Sequence, residues 1–406
     1  MCGENEYLLR QVLRNEWDFD GFTICDFVWG VKDTVASASS GLDIEMPITH
    51  FYGEKLLEAV REGEVTEQTI DESALRIIRT LLAHEHFIEE HKKEGSCDYR
   101  KHQELALQCA REGITLLKNE DQLLPIDCKK RKKIVVLESY ADRENIGDRG
   151  SSQVYAPYVV TILQGITEYP SDAEVIYYSE ESASHCRRLA KEAVVVLVGG
   201  SMILMDEWKD QVGAILMAYY PGMEGGKAVA DVLFGKTNPG GKLPFVIPKK
   251  EEDLPEIDWD AEEFRYDYYH GYTLLNKSHV KPLYPFGYGL SYTTFTLAGM
   301  KAWRDEENLY AFVIAKNTGK REGSEVVQMY VGTADSKVER PEYVLKDFQK
   351  IRLDAGEEKE VKLVCPIREM AYFDEGRNEF VAEFSIPYEV YVGTSSLRED
   401  LWVRKV

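Results

Sequence analysis

Within the first 90 residues only one segment reads as a β-strand, and a lone strand cannot make a sheet. Gly21-Phe22-Thr23-Ile24-Cys25-Asp26-Phe27 is a short apolar run, opened by a glycine, rich in strand formers and ended by a carboxylate and an aromatic ring. Around it lie helix patterns. Tyr7, Leu8, Val12 and Leu13 share one face, and Gly53 to Val60 and Ile70 to Arg79 are amphipathic, the second led by Thr66 or Thr69 as cap. One strand with three helices does not close a barrel, which takes eight strand–helix units and about 250 residues. Apolar helix faces are therefore expected to lie open, favouring self-association. Side chains at the carboxyl end of a parallel strand converge on a crevice rather than pack a core, so Asp26 reads as a site residue. An aspartate capping the next helix is the alternative.

A polar stretch, Glu89 to Tyr99, leads into a second unit from Lys101. Here a helix at Gln103 to Glu112, strands at Gly113 to Asn119 and Lys133 to Leu137, the apolar run Val194 to Val198 and the helix after Pro221 alternate, which predicts a parallel α/β layer. Glu224, at the start of that last helix, reads as a capping and dipole partner. The loop Gly147-Asp148-Arg149-Gly150-Ser151-Ser152 resembles a phosphate cradle but lacks the Lys-Ser/Thr pair of a P-loop and the dinucleotide fingerprint that a nucleotide site needs. After the charge run Lys249 to Asp253, tyrosines at 266, 268, 269, 272, 284 and 288 lead to a third unit. Leu309 to Ala315, Glu325 to Val331, Glu360 to Val364 and Tyr388 to Val392 alternate apolar and polar residues between turns, the pattern of a β-sandwich. The fold class is thus α/β plus all-β, over residues 1–90, 101–250 and 284–406.

The formal charge of −22 argues against nucleic acid and anionic membranes, which need a basic face. A neutral substrate fits better. Seven cysteines lack CxxC spacing, so neither zinc nor a disulfide framework is indicated and reduced thiols are expected. No basic and apolar leader follows Met1, and the longest apolar stretch, Ala193 to Met205, is too short to span a bilayer. A cytoplasmic protein is the expectation.

Leu8 to Phe22, Cys25-Asp26-Phe27 and Gly41-Leu42-Asp43-Ile44-Glu45-Met46-Pro47 together resemble the nucleophile region of family 3 glycoside hydrolases, with Cys25 in place of serine and Phe27 in place of tryptophan. Gly147 to Ser152, Ala218 to Gly226, Ala228 to Gly235, Asn238 to Pro244, Tyr284 to Phe295, Arg340-Pro341 and Leu345 to Phe348 also match that family's patterns. The resemblance implies a TIM-barrel remnant over 1–90, a shortened α/β sandwich domain over 101–250, and a fibronectin type III-like domain over 284–406. It implies retaining hydrolysis of terminal O-glycosidic bonds in β-glucoside-like carbohydrates, with Asp26 as nucleophile, Phe27 and Trp29 as sugar-stacking residues, and no metal or cofactor. Against the family pattern the front of the barrel is expected to be missing. So is a segment between Ala193 and Val194, where the family carries its acid/base glutamate, and Glu207 sits in a different motif. Weak or absent turnover follows, with a non-catalytic, carbohydrate-contacting or oligomerising module as the alternative.

Overall fold

The computed structural model describes residues 2–91, 99–148, 150–179, 190–258, 260–261, 263 and 266–406, in two units that divide after residue 97. Arg149 of the glycine loop, Leu189, Cys97 and Cys186 lie outside the described residues.

In the first unit Tyr7–Glu16 is helical but wound as a π-helix, closed by the Trp17 N–H on the Val12 carbonyl at 3.0 Å. The apolar spacing specified a helix and not its pitch. Helix α1, Thr34–Ser40, begins where Asp33 accepts the Ala36 N–H at 2.7 Å and stops at Gly41, whose φ of 100° ends it in the left-handed region. Helices α2, Glu54–Arg61, and α3, Glu67–His91, follow. The Thr66 hydroxyl accepts the Thr69 N–H at 3.2 Å, so Thr66 is the cap. Helix α3 runs well beyond Arg79 and leaves Leu75, Ile78 and Leu82 exposed. The apolar run at 21–27 makes less sheet than its composition suggests: one parallel bridge, Ile24 to Ile44. It is framed by Cys25 N–H on the Ile44 carbonyl, 2.9 Å, and Ile44 N–H on the Thr23 carbonyl, 3.1 Å. A strand with one neighbour cannot extend its ladder, and the described residues contain no closed barrel. The unit's cores are small, Cys25, Val31 and Leu42 in one, Ala38, Ala59 and Val65 in another.

The second unit opens with α4, Tyr99–Gly113, then β1, Thr115–Asn119, β2, Lys133–Leu137, α5, Ile162–Thr167, β3, Glu174–Tyr178, β4, Val194–Leu197, β5, Ala214–Met217, and α6, Gly225–Leu233. The all-parallel layer expected from the alternation is corrected in two ways. Strand β1 is antiparallel to β5 in the order β1-β5-β4, and the parallel pair β2–β3 forms a separate sheet. An antiparallel strand at the edge of an otherwise parallel sheet is a common arrangement, and periodicity encodes neither direction nor partner. Both sheets still share one core through Leu116, Val136, Ile166, Leu216 and Val229. Helix α6 is buried at every position but Lys227. It packs against α5 so closely that a Cβ on Gly226 would lie 1.9 Å from the Thr161 carbonyl oxygen, a contact only glycine permits.

After α7, Gly271–Lys277, the chain enters the sandwich through β6, Phe295–Arg304, β7, Asn308–Asn317, β8, Gly323–Gly332, β9, Val344–Leu353, β10, Glu358–Pro366, β11, Tyr372–Asp374, β12, Glu379–Val381, β13, Glu389–Gly393, and β14, Trp402–Lys405. The sheets run β10-β7-β6 and β14-β13-β8-β9, with the hairpin β11–β12 beside them. Leu309, Ala311, Val313 and Ala315 of β7 point inward against Val327, Met329, Leu363 and Val390, the period-2 burial that a sandwich requires.

Tyr284 to Phe295 forms the seam between the α/β part and the sandwich. Tyr284, Pro285, Gly287 and Thr293 are buried and only Leu290 and Thr294 are exposed. Asn238 binds two segments there: its carbonyl oxygen accepts from Ser291 Oγ at 2.9 Å and Tyr292 N–H at 2.7 Å, and its amide donates to the Glu322 carbonyl at 2.9 Å. Lys242 Nζ lies 2.6 Å from Glu325 and donates to the Gly289 carbonyl at 2.7 Å, while Leu243 N–H reaches the Tyr288 carbonyl at 2.9 Å.

Candidate active site

Asp26 sits where the segment 22–25 turns away from its neighbour, and its side chain is exposed. The turn is tight. Gly30 N–H returns to the Asp26 carbonyl at 3.0 Å, Val28 N–H to the Met46 carbonyl at 3.0 Å, and a Cβ on Gly30 would lie 2.6 Å from both Asp26 N and Asp26 O. Val28 takes a φ of 69°. A β-branched residue in the left-handed region is strained, and such strain persists only where the surroundings over-determine it. Phe27 and Trp29 lie on the same turn and are 52% and 68% exposed. Trp29 holds Lys32 Nζ 4.9 Å from its ring centroid.

What holds the turn in place is a buried carboxylate outside it. Asp43, with no side-chain exposure, takes Arg14 Nη2 on Oδ2 at 3.0 Å and Arg76 Nη2 and Nε on Oδ1 at 2.7 and 2.9 Å. Its Oδ2 also accepts the Thr23 N–H at 2.8 Å and the Thr23 hydroxyl at 3.1 Å. Arg14 extends the clamp to the Gly21 carbonyl at 2.9 Å and the Gly41 carbonyl at 3.2 Å. Burial, and then the neighbouring Arg76 charge, lower the Arg14 guanidinium, and Asp43 acts against both. Two like charges are thus held together by one shared anion.

Glu45 is the second buried carboxylate. It accepts the backbone N–H groups of His50 at 3.0 Å, Phe51 at 3.0 Å and Tyr52 at 2.8 Å. Burial pushes its carboxyl up, but the bonds from Tyr52, His50 and Phe51 outweigh that and hold it below the usual glutamate value. Burial also raises the Tyr52 phenol, with the charges of Asp43 and Glu45 adding to it. A general acid must hold a proton near neutral pH. Glu45 is held below its usual value and does not supply one, and both oxygens of Asp43 are engaged by arginine.

Sequence reading singled out Asp26, Phe27 and Trp29 and missed Asp43, Glu45, Arg14, Arg76 and Thr23 as the residues that position them. The signal was present in Gly41 to Pro47, where two carboxylates alternate with Leu42, Ile44 and Met46 in an otherwise apolar run. In the second unit, Glu207 is exposed. The capping role expected of Glu224 is corrected: its side chain makes no cap bond and instead accepts the Tyr158 hydroxyl, raising that phenol to about 12. A helix-start position gave no sign of a tyrosine 66 residues away in sequence. Within the glycine loop Asp148 Oδ1 accepts Gly150 N–H at 2.9 Å and Ser152 Oγ at 2.5 Å.

Residues 1–80 match the model of the glycosyl hydrolase family 3 N-terminal domain. Residues 114–186 and 172–292 match the family 3 C-terminal domain in two stretches, and 325–396 match a fibronectin type III-like domain. Thermostable β-glucosidase B of Acetivibrio thermocellus is 32% identical over 97% of this chain and 60% of its own length. β-Glucosidase BoGH3A of Bacteroides ovatus is 30% identical over 97% of this chain and 65% of its own. The chain therefore spans less than two thirds of the length of these curated relatives. The first alignment has 460 columns against a 406-residue chain, so at least 54 columns hold a residue of the relative alone. The solved structure of β-glucosidase 3B from Thermotoga neapolitana in complex with α-D-glucose superposes with a TM-score of 0.85 at 28% identity, covering 100% of this chain and 68% of that one. Both domain models of the family, in chain order, and the shared fold lead to one conclusion: the chain belongs to glycosyl hydrolase family 3.

Proposed function

We propose that this protein is a glycoside hydrolase of β-glucosidase-like specificity, cleaving terminal O-glycosidic bonds with retention, with Asp26 as the nucleophile and Phe27 and Trp29 stacking against the sugar. The observation that carries the reading is the exposed Asp26 carboxylate on a strained turn, flanked by exposed aromatic rings and braced by the Asp43 clamp. Retention requires a second carboxylic acid about 5 Å from the nucleophile. Asp43 and Glu45 are committed to other bonds, which supports weak or absent turnover by this chain alone. The same commitment favours a second reading, a carbohydrate-contacting module without catalysis. The exposed Leu75, Ile78 and Leu82 of α3 support self-association, and the free thiols of Cys2, Cys25, Cys109, Cys128 and Cys365 suit a reducing, cytoplasmic setting. Among the described residues no helix is long and apolar enough to cross a membrane.

Hydrolysis of an aryl β-glucoside with a good leaving group, compared with that of cellobiose, tests the proposal. General acid assistance contributes about 10²–10⁴-fold, and the activated substrate dispenses with it, so slow turnover of the aryl glucoside alone, abolished by Asp26→Asn, is expected. Comparable rates on both substrates would overturn the missing acid. Aryl glucoside turnover untouched by Asp26→Asn would overturn Asp26 as nucleophile, and glucose binding with no turnover of either would establish the second reading.

A further inference from the structure

The outward face of the sheet β10-β7-β6 carries a cluster unlike the rest of this acidic protein. Cross-strand register sets Trp303 opposite Tyr310, and Lys301 and Lys362 on either side of Phe312. The Trp303 and Tyr310 rings stack with centroids 5.2 Å apart and planes 13° from parallel, and Trp303, on edge strand β6, is 41% exposed. Stacking covers one face of the indole and leaves the other turned from its partner. Lys362 Nζ lies 4.8 Å from the Tyr310 centroid and 5.9 Å from that of Trp303, and Lys301 Nζ lies 5.8 Å from that of Phe312.

Neither ammonium forms an ion pair or hydrogen bond among the described residues, although the chain has 71 acidic side chains to 49 basic ones. Two strands' ends away, Lys316 and Glu358 on the same sheet do pair, at 3.3 Å. Glu360, two residues before Lys362, pairs with neither amine, and the Asp305 carboxylate at the edge of the stack is taken up by the Tyr310 hydroxyl, which donates to it at 2.8 Å. The face thus offers an indole surface, on which the C–H face of a pyranose stacks, beside two ammonium groups whose only partners are aromatic rings. A neutral sugar would use the first and leave the second as it is. A sugar bearing a carboxylate satisfies both.

We propose that this face of the sandwich binds a saccharide carrying carboxylate groups, a uronic-acid oligosaccharide, with Trp303 as the stacking platform and Lys301 and Lys362 as the carboxylate partners. The protein's overall charge opposes an anion at long range, but beyond about 8 Å that field is screened at physiological ionic strength, and the local pairs decide. The site is independent of Asp26.

Calorimetric titration of the full chain at physiological ionic strength with tetragalacturonate and with its fully methyl-esterified form tests this, the two ligands differing in charge and not in ring shape. The acid is expected to bind at least about fivefold tighter than the ester, the yield of two exposed ion pairs. Lys301→Gln with Lys362→Gln should bring the two ligands to within about twofold of each other. Trp303→Ala should weaken both at least about fivefold, since it removes the aromatic face on which either ring stacks. Equal binding of acid and ester, no binding of either, or a charge preference that survives the double lysine variant overturns the proposal. The lysine variant decides alone if Trp303→Ala loses the native circular dichroism spectrum.

Discussion

Asp43→Asn is the substitution that most sharply tests how the Asp26 turn is held. The side chain keeps its size and one acceptor oxygen but loses the charge that two guanidinium groups share, and it turns an amide N–H₂ toward one of them. Removing one partner of a buried ion pair costs about 3–5 kcal/mol. Asp43 has no side-chain exposure, whereas Arg14 and Arg76 keep 13% and 11%, so water recovers part of their solvation and the lower end, about 3 kcal/mol, is expected. The Cys25 amide is the reporter, because it bonds the Ile44 carbonyl at 2.9 Å without touching Asp43. If the clamp sets the stability of this segment, about 3 kcal/mol accelerates its native-state hydrogen exchange about 150-fold. Exchange within about threefold of the unmodified protein would refute the clamp, and would mean that the cores around Val31 and Ala38 hold the segment without it.

Gly30→Ala places a Cβ 2.6 Å from two backbone atoms of Asp26; a backbone clash of this kind costs about 1–3 kcal/mol, and lost protection of the residue-30 amide, now bonded to the Asp26 carbonyl, measures it. Glu383 in the sandwich is raised by burial but lowered further by Ser336, the Lys337 N–H and Arg340, for a net value below the ordinary glutamate 4.5. A carboxyl depressed in the folded state adds stability that is present above the unfolded value and lost as pH falls through the folded one. Urea unfolding of Glu383→Gln below pH 4.5 should therefore fall less steeply with acid than that of the unmodified protein, and parallel acid limbs would contradict the assignment.

Where side chains alternate cleanly, the chain could be read directly. Strands β7, β8, β10 and β13 fall on the runs expected from Leu309, Glu325, Glu360 and Tyr388. Strands β6 and β9 escaped because Lys301, Lys350 and Arg352 on their outward faces, and Arg304 on the inward face of β6 opposite Leu309, mask the period of Met300, Ile351 and Leu353 inside. The direction of β1 and the separation of β2–β3 depend on which strand finds which, a matter of long-range pairing that no local window contains. The site divides in the same way. Asp26 was visible because a carboxylate ends a strand-forming run and because its neighbours match a family pattern. Asp43 was visible only as a letter in a motif, since its meaning comes from Arg14 and Arg76, 29 and 33 positions distant in the chain.

The seam at Asn238, Lys242 and Tyr288 bears on how such proteins trade parts over evolutionary time. A recombination crossover placed anywhere from Tyr284 to Leu290 would deliver a sandwich whose Glu325 arrives without Lys242 and whose Glu322 carbonyl arrives without the Asn238 amide. The donor left behind would keep Asn238 facing no hydroxyl and no Tyr292 N–H. Each half would inherit stranded polar groups at about 1–3 kcal/mol apiece. The fibronectin-like sandwich is for this reason heritable only together with the strip that precedes it and the Asn238-Pro239-Gly240-Gly241-Lys242 segment it leans on, so swaps that succeed should carry the whole of residues 98–406 as one inheritance.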